Sequence, residues 1–189
     1  MTTAAPVLSS AGEVARRVSI NRLGLWLFFT SESLLFGLLA TARFYLNGTE
    51  TPEELSQSLG LALTSILLLS SLTAYRAETA FAHDNQRHGR LMLLLTVELG
   101  LVFVVGVGFE WSIAEFSVSD GYGTAFFSMT GLHVTHVVTG LFFFGLLYAA
   151  SRSGRFGSTN TWPVTGVVMY WHFVDVVWVF FYPTLYLVS

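Results

Sequence analysis

Five long apolar stretches, separated by short polar connectors, make up most of the chain. They run roughly over residues 23–46, 55–77, 91–111, 124–148 and 164–188. Each is close to the ~20 residues that a helix needs to cross the hydrocarbon core of a bilayer. Segments such as LMLLLTV and VVWVFFY do not alternate between apolar and polar residues, as the strands of a membrane barrel would. The pattern therefore predicts an all-α membrane bundle of five transmembrane helices.

Composition supports a membrane protein and removes several other classes. The 189 residues are 53% hydrophobic and 11% charged, whereas a soluble domain has roughly 25% charged residues. A disordered chain, a nucleic-acid binder and an ordinary soluble enzyme are excluded on this ground. The chain has no cysteine, which excludes disulfides, iron–sulfur clusters, covalently attached haem and thiolate metal sites. The N-terminus lacks an apolar core of signal-peptide length, so we expect no cleaved signal.

The distribution of charge predicts how the bundle is oriented. All nine basic residues are arginines, and eight of them lie before span one or in the connectors that follow spans two and four: Arg16, Arg17, Arg22, Arg76, Arg87, Arg90, Arg152 and Arg155. The other two connectors are acidic and hold Glu50, Glu53, Glu54, Glu115 and Asp120. Basic residues accumulate on the cytoplasmic side of membranes. We therefore expect the N-terminus inside and the C-terminus outside, with Arg43 as the exception. We assign residues 1–21 to a cytoplasmic segment and residues 22–189 to the bundle.

Ionisable side chains inside the predicted spans are the candidates for function. At 1.5 Å per residue, Glu32 and Glu98 lie about 14 Å and 10 Å inside spans one and three. Spans four and five carry paired polar residues near their middles: His133 with His136, and His172 with Asp175. A charge at the bilayer centre costs at least ~2.5–3.5 kcal/mol, so we expect these groups to be neutral, paired or facing protein.

Three interpretations of this set remain open on the residues alone. The side chains can satisfy one another and fix the register of the helices. They can form a path for protons or ions, as buried Asp, Glu and His chains do in pumps. They can also ligate haem or a metal ion, although no spacing here supplies three converging metal ligands. Each member of the His133–His136 and His172–Asp175 pairs is three residues from its partner, so each pair shares a helix face.

Two carboxylates and one ridge of small residues complete the candidates. Glu98 has no evident partner in the sequence, and we expect it to be paired across helices or held neutral. Glu110, at the end of span three, is expected at the membrane interface. In span four, a ridge of small residues at spacing four predicts close packing with another helix; its members are Gly131, Thr135 and Thr139.

Four segments, in order, resemble one known family. YWHFVDVVWVFFYPTLYLVS is similar to the closing helix of subunit III of the haem–copper terminal oxidases, which include cytochrome c oxidase and quinol oxidase. SDGYGTAFFSMTGLHVTHVVTG resembles the preceding helix of that family, with its two histidines. NRLGLWLFFTSESLLFG resembles the helix with a buried glutamate, here Glu32. LGLVFVVGVGFEW resembles the ending that pairs a glutamate with an aromatic residue, here Glu110 and Trp111. Where this family often has Gln and Tyr, the chain has Val107 and Trp111, and Glu98 replaces a neutral residue.

The resemblance implies a subunit with no active site of its own. It is similar to the five-helix bacterial form, in the inner membrane of a bacterial cell. No haem or copper is expected on this chain; both belong to partner subunits, and phospholipid is the expected ligand. The implied partners are catalytic subunit I, subunit II and, as a further candidate, a small subunit IV. The implied role is to stabilise the proton-pumping catalytic subunit, hold lipid and sustain proton uptake.

We assign no catalytic or metal-ligating residue. The candidate site is a buried polar layer in contact with lipid or a neighbouring subunit, and it comprises Glu32, His133, His136, His172, Asp175, Glu110 and Trp171. The alternatives are an accessory subunit of a nitric oxide reductase, a stand-alone proton or ion transporter, and a haem-binding membrane cytochrome.

Overall fold

The structure is a computed structural model that describes residues 10–49, 52 and 55–188. It consists of five helices: α1 (Ser10–Asn47), α2 (Gln57–Ala82), α3 (Gln86–Ile113), α4 (Gly121–Ser151) and α5 (Trp162–Tyr186). All five are long and apolar enough to cross a membrane. The predicted all-α, five-span architecture is therefore confirmed. Glu50, Glu53 and Glu54 of the acidic connector lie outside the described residues, as do residues 1–9 and Ser189.

Helix α1 is longer than its apolar stretch. Its 38 residues extend about 57 Å at 1.5 Å per residue, nearly twice the ~30 Å hydrocarbon core. The helix begins at Ser10 and continues without a break through residues 21 and 22, where we placed the end of the N-terminal segment. Arg16, Arg17 and Arg22 are exposed on this extension. These arginines therefore lie on an N-terminal helical extension that is continuous with the first span.

Local sequence signals set several helix ends. The Ser56 side chain accepts a hydrogen bond from the Leu59 amide at 3.3 Å, and the Asn85 side chain accepts one from the His88 amide at 3.1 Å. Ser56 and Asn85 are thus the N-caps of α2 and α3, and each satisfies an amide that has no partner within its helix. After α1 the chain passes through Gly48 at φ +61°, a left-handed conformation that glycine adopts at little steric cost. Pro163 stands in the first turn of α5, where its missing amide proton is not needed.

The five helices form three layers. Helices α4 and α5 lie in the middle; α1 packs on one side of them, and the α2–α3 pair packs on the other. Within the described residues α1 contacts neither α2 nor α3. On α1 the buried side chains among those described are Phe29, Phe36 and Arg43. Most of the surface of α1 therefore remains outside the bundle.

The centre of the bundle is packed around Trp171. This side chain is fully buried, and it fits because glycines face it on two neighbouring helices. A Cβ atom added at Gly140 of α4 would lie 2.6 Å from the Trp171 ring, and one added at Gly100 of α3 would lie 3.0 Å from it. The ridge of Gly131, Thr135 and Thr139 was predicted to pack closely against another helix, but Thr135 and Thr139 are exposed. For these two threonines the prediction is wrong, although α4 itself lies in the middle layer.

Two connectors meet at one end of the bundle. The α2–α3 connector contributes Asp84, at φ +58°, whose carboxylate accepts a hydrogen bond from the Ser158 amide at 2.9 Å. Gln86 donates to the carbonyl of Phe156 at 2.5 Å. The amide of Ser158 holds the pKa of Asp84 below its usual value, because it stabilises the charged form. We call this end, which carries Arg87, Arg90, Arg152 and Arg155 in or beside its connectors, the arginine-rich end.

Candidate functional site

Glu32 and His136 form the contact between the outlying helix α1 and the central layer. Glu32 Oε2 lies 3.2 Å from His136 Nε2, across 104 residues of sequence. Both side chains are largely buried, with 18% and 14% of their surface exposed. Phe36 packs edge-on against the same imidazole, with ring centroids 4.9 Å apart. Two of the sequence candidates are thus direct partners.

The geometry of His136 fixes how many protons this pair holds. Nδ1 lies 2.9 Å from the carbonyl oxygen of Leu132, which can only accept, so Nδ1 must carry a proton. The bond between Nε2 and Glu32 then needs one further proton, located either on the carboxyl group or on the imidazole. In both cases the pair as a whole is neutral. A neutral pair avoids most of the free energy that an isolated charge would cost inside the membrane.

Tyr170 extends this pair to the third helix of the cluster. Its hydroxyl donates to the backbone carbonyl of His136 at 3.0 Å. One turn further along α5, Phe173 stacks on Phe29 of α1 at a centroid distance of 4.7 Å. The result is one junction of α1, α4 and α5 in which a polar pair is surrounded by aromatic rings.

His172 and Asp175 lie on the opposite side of α5, towards α2. The hydrogen-bond partner of His172 Nδ1 is the Ser71 hydroxyl, at 2.6 Å. Asp175 Oδ2 is 3.9 Å from the same nitrogen, which is beyond hydrogen-bond distance. The two residues therefore meet, as their spacing of three indicates, but the hydrogen bond is made to another helix. Asp175 is buried, with 3% of its surface exposed.

His133 occupies an aromatic environment in the middle of the bundle. It is fully buried, and neither ring nitrogen has a hydrogen-bond partner. Its ring lies 4.8 Å from Trp178 and 5.8 Å from Phe103, centroid to centroid. An imidazole without acceptors in such surroundings is uncharged, because burial of a charge without a partner is costly. His133 thus does not join the Glu32–His136 pair, although the two histidines share a helix face.

Indole groups connect the central helices to their neighbours. Trp171 donates to the Ser70 hydroxyl at 3.0 Å, and Trp178 donates to the Thr64 hydroxyl at 2.9 Å, so two bonds join α5 to α2. Trp111 donates to Thr130 at 3.0 Å and joins α3 to α4. Hydrogen bonds of this type are common between membrane helices. Trp171 was a candidate because it belongs to the C-terminal motif, and its partner is the hydroxyl of Ser70.

Glu110 belongs to a separate cluster at the end opposite the arginine-rich end. It is buried, with 4% of its surface exposed, and it accepts a hydrogen bond from Tyr186 at 2.8 Å. The expectation of an interfacial carboxylate holds for its position along the helix, but the side chain faces the bundle interior. A burial of this kind requires the tyrosine donor, which lies 76 residues away.

Arg43 joins the same end of the bundle, and sequence reasoning missed its role. The side chain is fully buried and donates to the carbonyl of Gly48. Its guanidinium carbon lies 5.3 Å from the centroid of the Tyr122 ring and 5.4 Å from that of Phe44, both within cation–π range. The sequence showed Arg43 as an exception to the charge pattern; the aromatic partner from α4 explains how the exception is accommodated.

A large cleft borders the Glu32–His136 pair. It has a volume of about 850 Å³ and lies between α1, α4 and α5. His136 and Tyr170 line one part of it, and Asn21 and Trp162, near the arginine-rich end, line another. Thr135 and Thr139 also face it, which is why they are exposed. Its walls are otherwise mainly apolar, as in sites for amphiphilic small molecules.

No group of three or more His, Cys, Asp or Glu side chains arranged to hold a metal ion occurs in the described part of the chain. Several of the polar side chains instead make contacts between pairs of helices, among them Glu32, His172 and Glu110.

The comparisons with known proteins identify the family to which the chain belongs. The family model for cytochrome c oxidase subunit III matches residues 10–189. The chain is 34% identical over 178 residues to cytochrome c oxidase subunit 3 of Loxodonta africana, covering 87% of this chain and 68% of that protein. It is 35% identical over 179 residues to the subunit 3 of Podospora anserina, covering 87% of this chain and 66% of that protein. The chain belongs to the cytochrome c oxidase subunit III family, and it spans about two thirds of the length of these relatives.

Proposed function

We propose that the chain is the non-catalytic subunit III of a proton-pumping haem–copper oxygen reductase in a bacterial inner membrane. The family match over residues 10–189 is the observation that carries this proposal. It is supported by the pairwise use of the intramembrane polar side chains: Glu32 with His136, His172 with Ser71, and Glu110 with Tyr186. Such pairs stabilise a scaffold rather than form a reaction centre.

The proposed task of the chain is to keep the catalytic subunit stable during turnover. In this proposal haem and copper are held by partner subunits, with subunits I and II as the core of the assembly and a small subunit IV beside them. The pumped protons are handled by the catalytic subunit. The Glu32–His136 pair, which shares one proton beside an open cleft, is the group through which this chain would support proton uptake.

The cleft between α1, α4 and α5 is the proposed site for lipid. Its volume of about 850 Å³ lies within the ~300–1,000 Å³ of ordinary ligand sites. Its polar groups, His136 and Tyr170, lie deep along its wall, and Asn21 and Trp162 line the part nearest the membrane interface. An acyl chain would fill the apolar part while the head group stays at the interface.

Mild solubilisation with an affinity tag on this chain tests the proposal. We expect subunits I and II to co-purify, with a haem spectrum and oxygen consumption. Removal of the chain should leave the initial oxidase rate unchanged but shorten the time over which that rate is sustained. Purification of the chain alone, or together with a nitric oxide reductase, would contradict the proposal. So would proton or ion flux by the isolated chain in liposomes, or a haem spectrum from the chain by itself.

Lipid binding is tested separately by filling the cleft. Gly24 lines the cleft, and a Cβ atom added there meets nothing within 4 Å, so Gly24→Leu should fold and displace bound lipid. Gly108→Leu on α3 is the matched control, because Gly108 is equally open but does not line the cleft. The measurement is phospholipid per purified complex by mass spectrometry. Equal lipid content in both variants would refute the assignment of the cleft.

A further inference from the structure

Glu98 is an intramembrane carboxylate that the bundle leaves exposed on its outer surface. It lies about 10 Å inside the apolar part of α3, and its side chain is exposed on the outside of the bundle. Glu32 and Glu110 each have a hydrogen-bond partner, and Asp175 lies beside His172. Within the described residues Glu98 has neither a hydrogen bond nor an ion pair.

The surroundings of Glu98 offer nothing to stabilise it. At 100° per residue, the side chains next to it on α3 form one stripe about a quarter of a turn wide. We call this stripe the Glu98 face; it consists of Leu94, Glu98, Leu101, Val102 and Val105. Its apolar members are 38%, 50%, 51% and 70% exposed in that order. A carboxylate on such a face would lie in lipid tails, where burying a charge is strongly unfavourable.

The Glu98 face lies on the side of the bundle away from α1 and the cleft. Helix α1 and the cleft lie on one side of the α4–α5 layer, whereas the α2–α3 pair lies on the other. The partner of Glu98 therefore cannot be α1 of the same chain, and lipid in the cleft does not reach it. Helix α2, which packs against α3, also has exposed leucines, among them Leu68 and Leu72.

We propose that the Glu98 face is the docking surface for a transmembrane helix of another subunit, and that this helix places a hydrogen-bond-donating side chain opposite Glu98. The inference rests on the proposed function, since it requires a multisubunit complex. An apolar helix with a donor side chain fits this face, because the apolar residues cover the leucines and valines while the donor bonds the carboxyl group of Glu98. Lipid tails supply no donor at this depth, and a second copy of the chain would bring two carboxyl groups together, which could bond only if at least one of them were protonated.

The first test measures how firmly the complex retains this chain. In the tagged complex, Glu98→Leu should weaken retention under increasing detergent by roughly 3- to 20-fold, the range that measured hydrogen bonds between membrane helices span. Glu98→Gln keeps a carbonyl acceptor and should retain most of the binding. Val105→Leu, an apolar exchange on the same face, is the matched control. If Glu98 faced lipid, Glu98→Leu would leave retention unchanged or improve it, and the proposal would be overturned.

The second test identifies what covers the face. A photo-crosslinking amino acid at position 94 or 101 leaves Glu98 in place, and the complex is irradiated after purification. The expected product is a crosslink to a membrane-spanning segment of another subunit, within about one turn of a donor side chain. Crosslinks to lipid alone, or to a second copy of this chain, overturn the proposal. If no oxidase subunit co-purifies at all, the proposed function fails instead, so the two failures are distinct.

Discussion

The Glu32–His136 pair gives the sharpest test of how α1 is held to the bundle. The perturbation is a double-mutant cycle built from Glu32→Leu, His136→Leu and the variant that carries both. Each single change removes one partner of a 3.2 Å hydrogen bond. The second hydrogen bond of the imidazole, from Nδ1 to the Leu132 carbonyl, lies within α4 and is lost only with His136.

The expected magnitudes follow from burial and from the neutrality of the pair. Glu32→Leu leaves Nε2 of His136 largely buried without its partner, at a cost of about 1–3 kcal/mol in the free energy of unfolding. Because the pair holds one shared proton and no net charge, the coupling between its members should be that of a hydrogen bond between membrane helices, ~0.6–1.7 kcal/mol. Glu32→Gln can donate an amide proton to Nε2, so its cost should stay within ~0.5 kcal/mol, as for benign substitutions.

Equilibrium unfolding of the purified chain in mixed detergent micelles supplies the measurement. The near-ultraviolet signal of the buried tryptophans Trp171 and Trp178 reports loss of tertiary packing. Leu38→Ala serves as the control on α1, because Leu38 is 68% exposed and should change stability little. A coupling energy within ~0.3–0.5 kcal/mol of zero, the usual error of additivity, would refute the argument that the pair docks α1.

Three further predictions concern packing and the arginine-rich end. Gly140→Ala should lower the free energy of unfolding by about 1–3 kcal/mol, because the new methyl group meets the Trp171 ring at 2.6 Å. Gly145→Ala on the same helix is the control, since its methyl group meets nothing within 4 Å and should not lower the stability. Equal effects of the two substitutions would contradict the packing described. Trp178→Phe should cost more than ~0.6 kcal/mol through its lost hydrogen bond to α2, and an unchanged unfolding midpoint would exclude that role. Asp84→Asn should lower the thermal midpoint at neutral pH. The folded-state pKa of Asp84 is depressed, so its contribution is present above its unfolded pKa of ~3.9 and is lost as pH falls through the lower folded value. The difference from the unsubstituted chain should therefore close in acid, and a pH-independent difference would refute this account.

The transmembrane architecture could be predicted from the sequence because its cause is local. A run of about 20 apolar residues is sufficient to define a span, and the five runs correspond to the five helices. The extension of α1 back to Ser10 was not predicted, because SAGEVARR has residues that tolerate a helix but no hydropathy signal. The Gly131–Thr139 ridge was misjudged since spacing alone does not say which neighbour a face meets; Gly140 meets Trp171, and the threonines meet the cleft.

The candidate residues could be named from the sequence, but their partners could not. Burial cost singled out Glu32 and His136, yet their contact spans 104 residues and no local pattern encodes it. The environment of Arg43 likewise depends on Tyr122 of another helix. The family resemblance placed His172 and Asp175 in one motif, and only the packing of α5 against α2 shows Ser71 as the hydrogen-bond partner of His172.

The long separation between Glu32 and His136 also has a consequence for biosynthesis. A ribosome that adds ~5–20 residues per second needs about 5–20 s to make the 104 residues that separate them. Throughout that interval the Glu32 carboxyl lacks its partner His136, and neither of the two helices against which α1 packs is complete. Of the five helices, the first to be synthesised must therefore wait in the bilayer for the last two before it can dock.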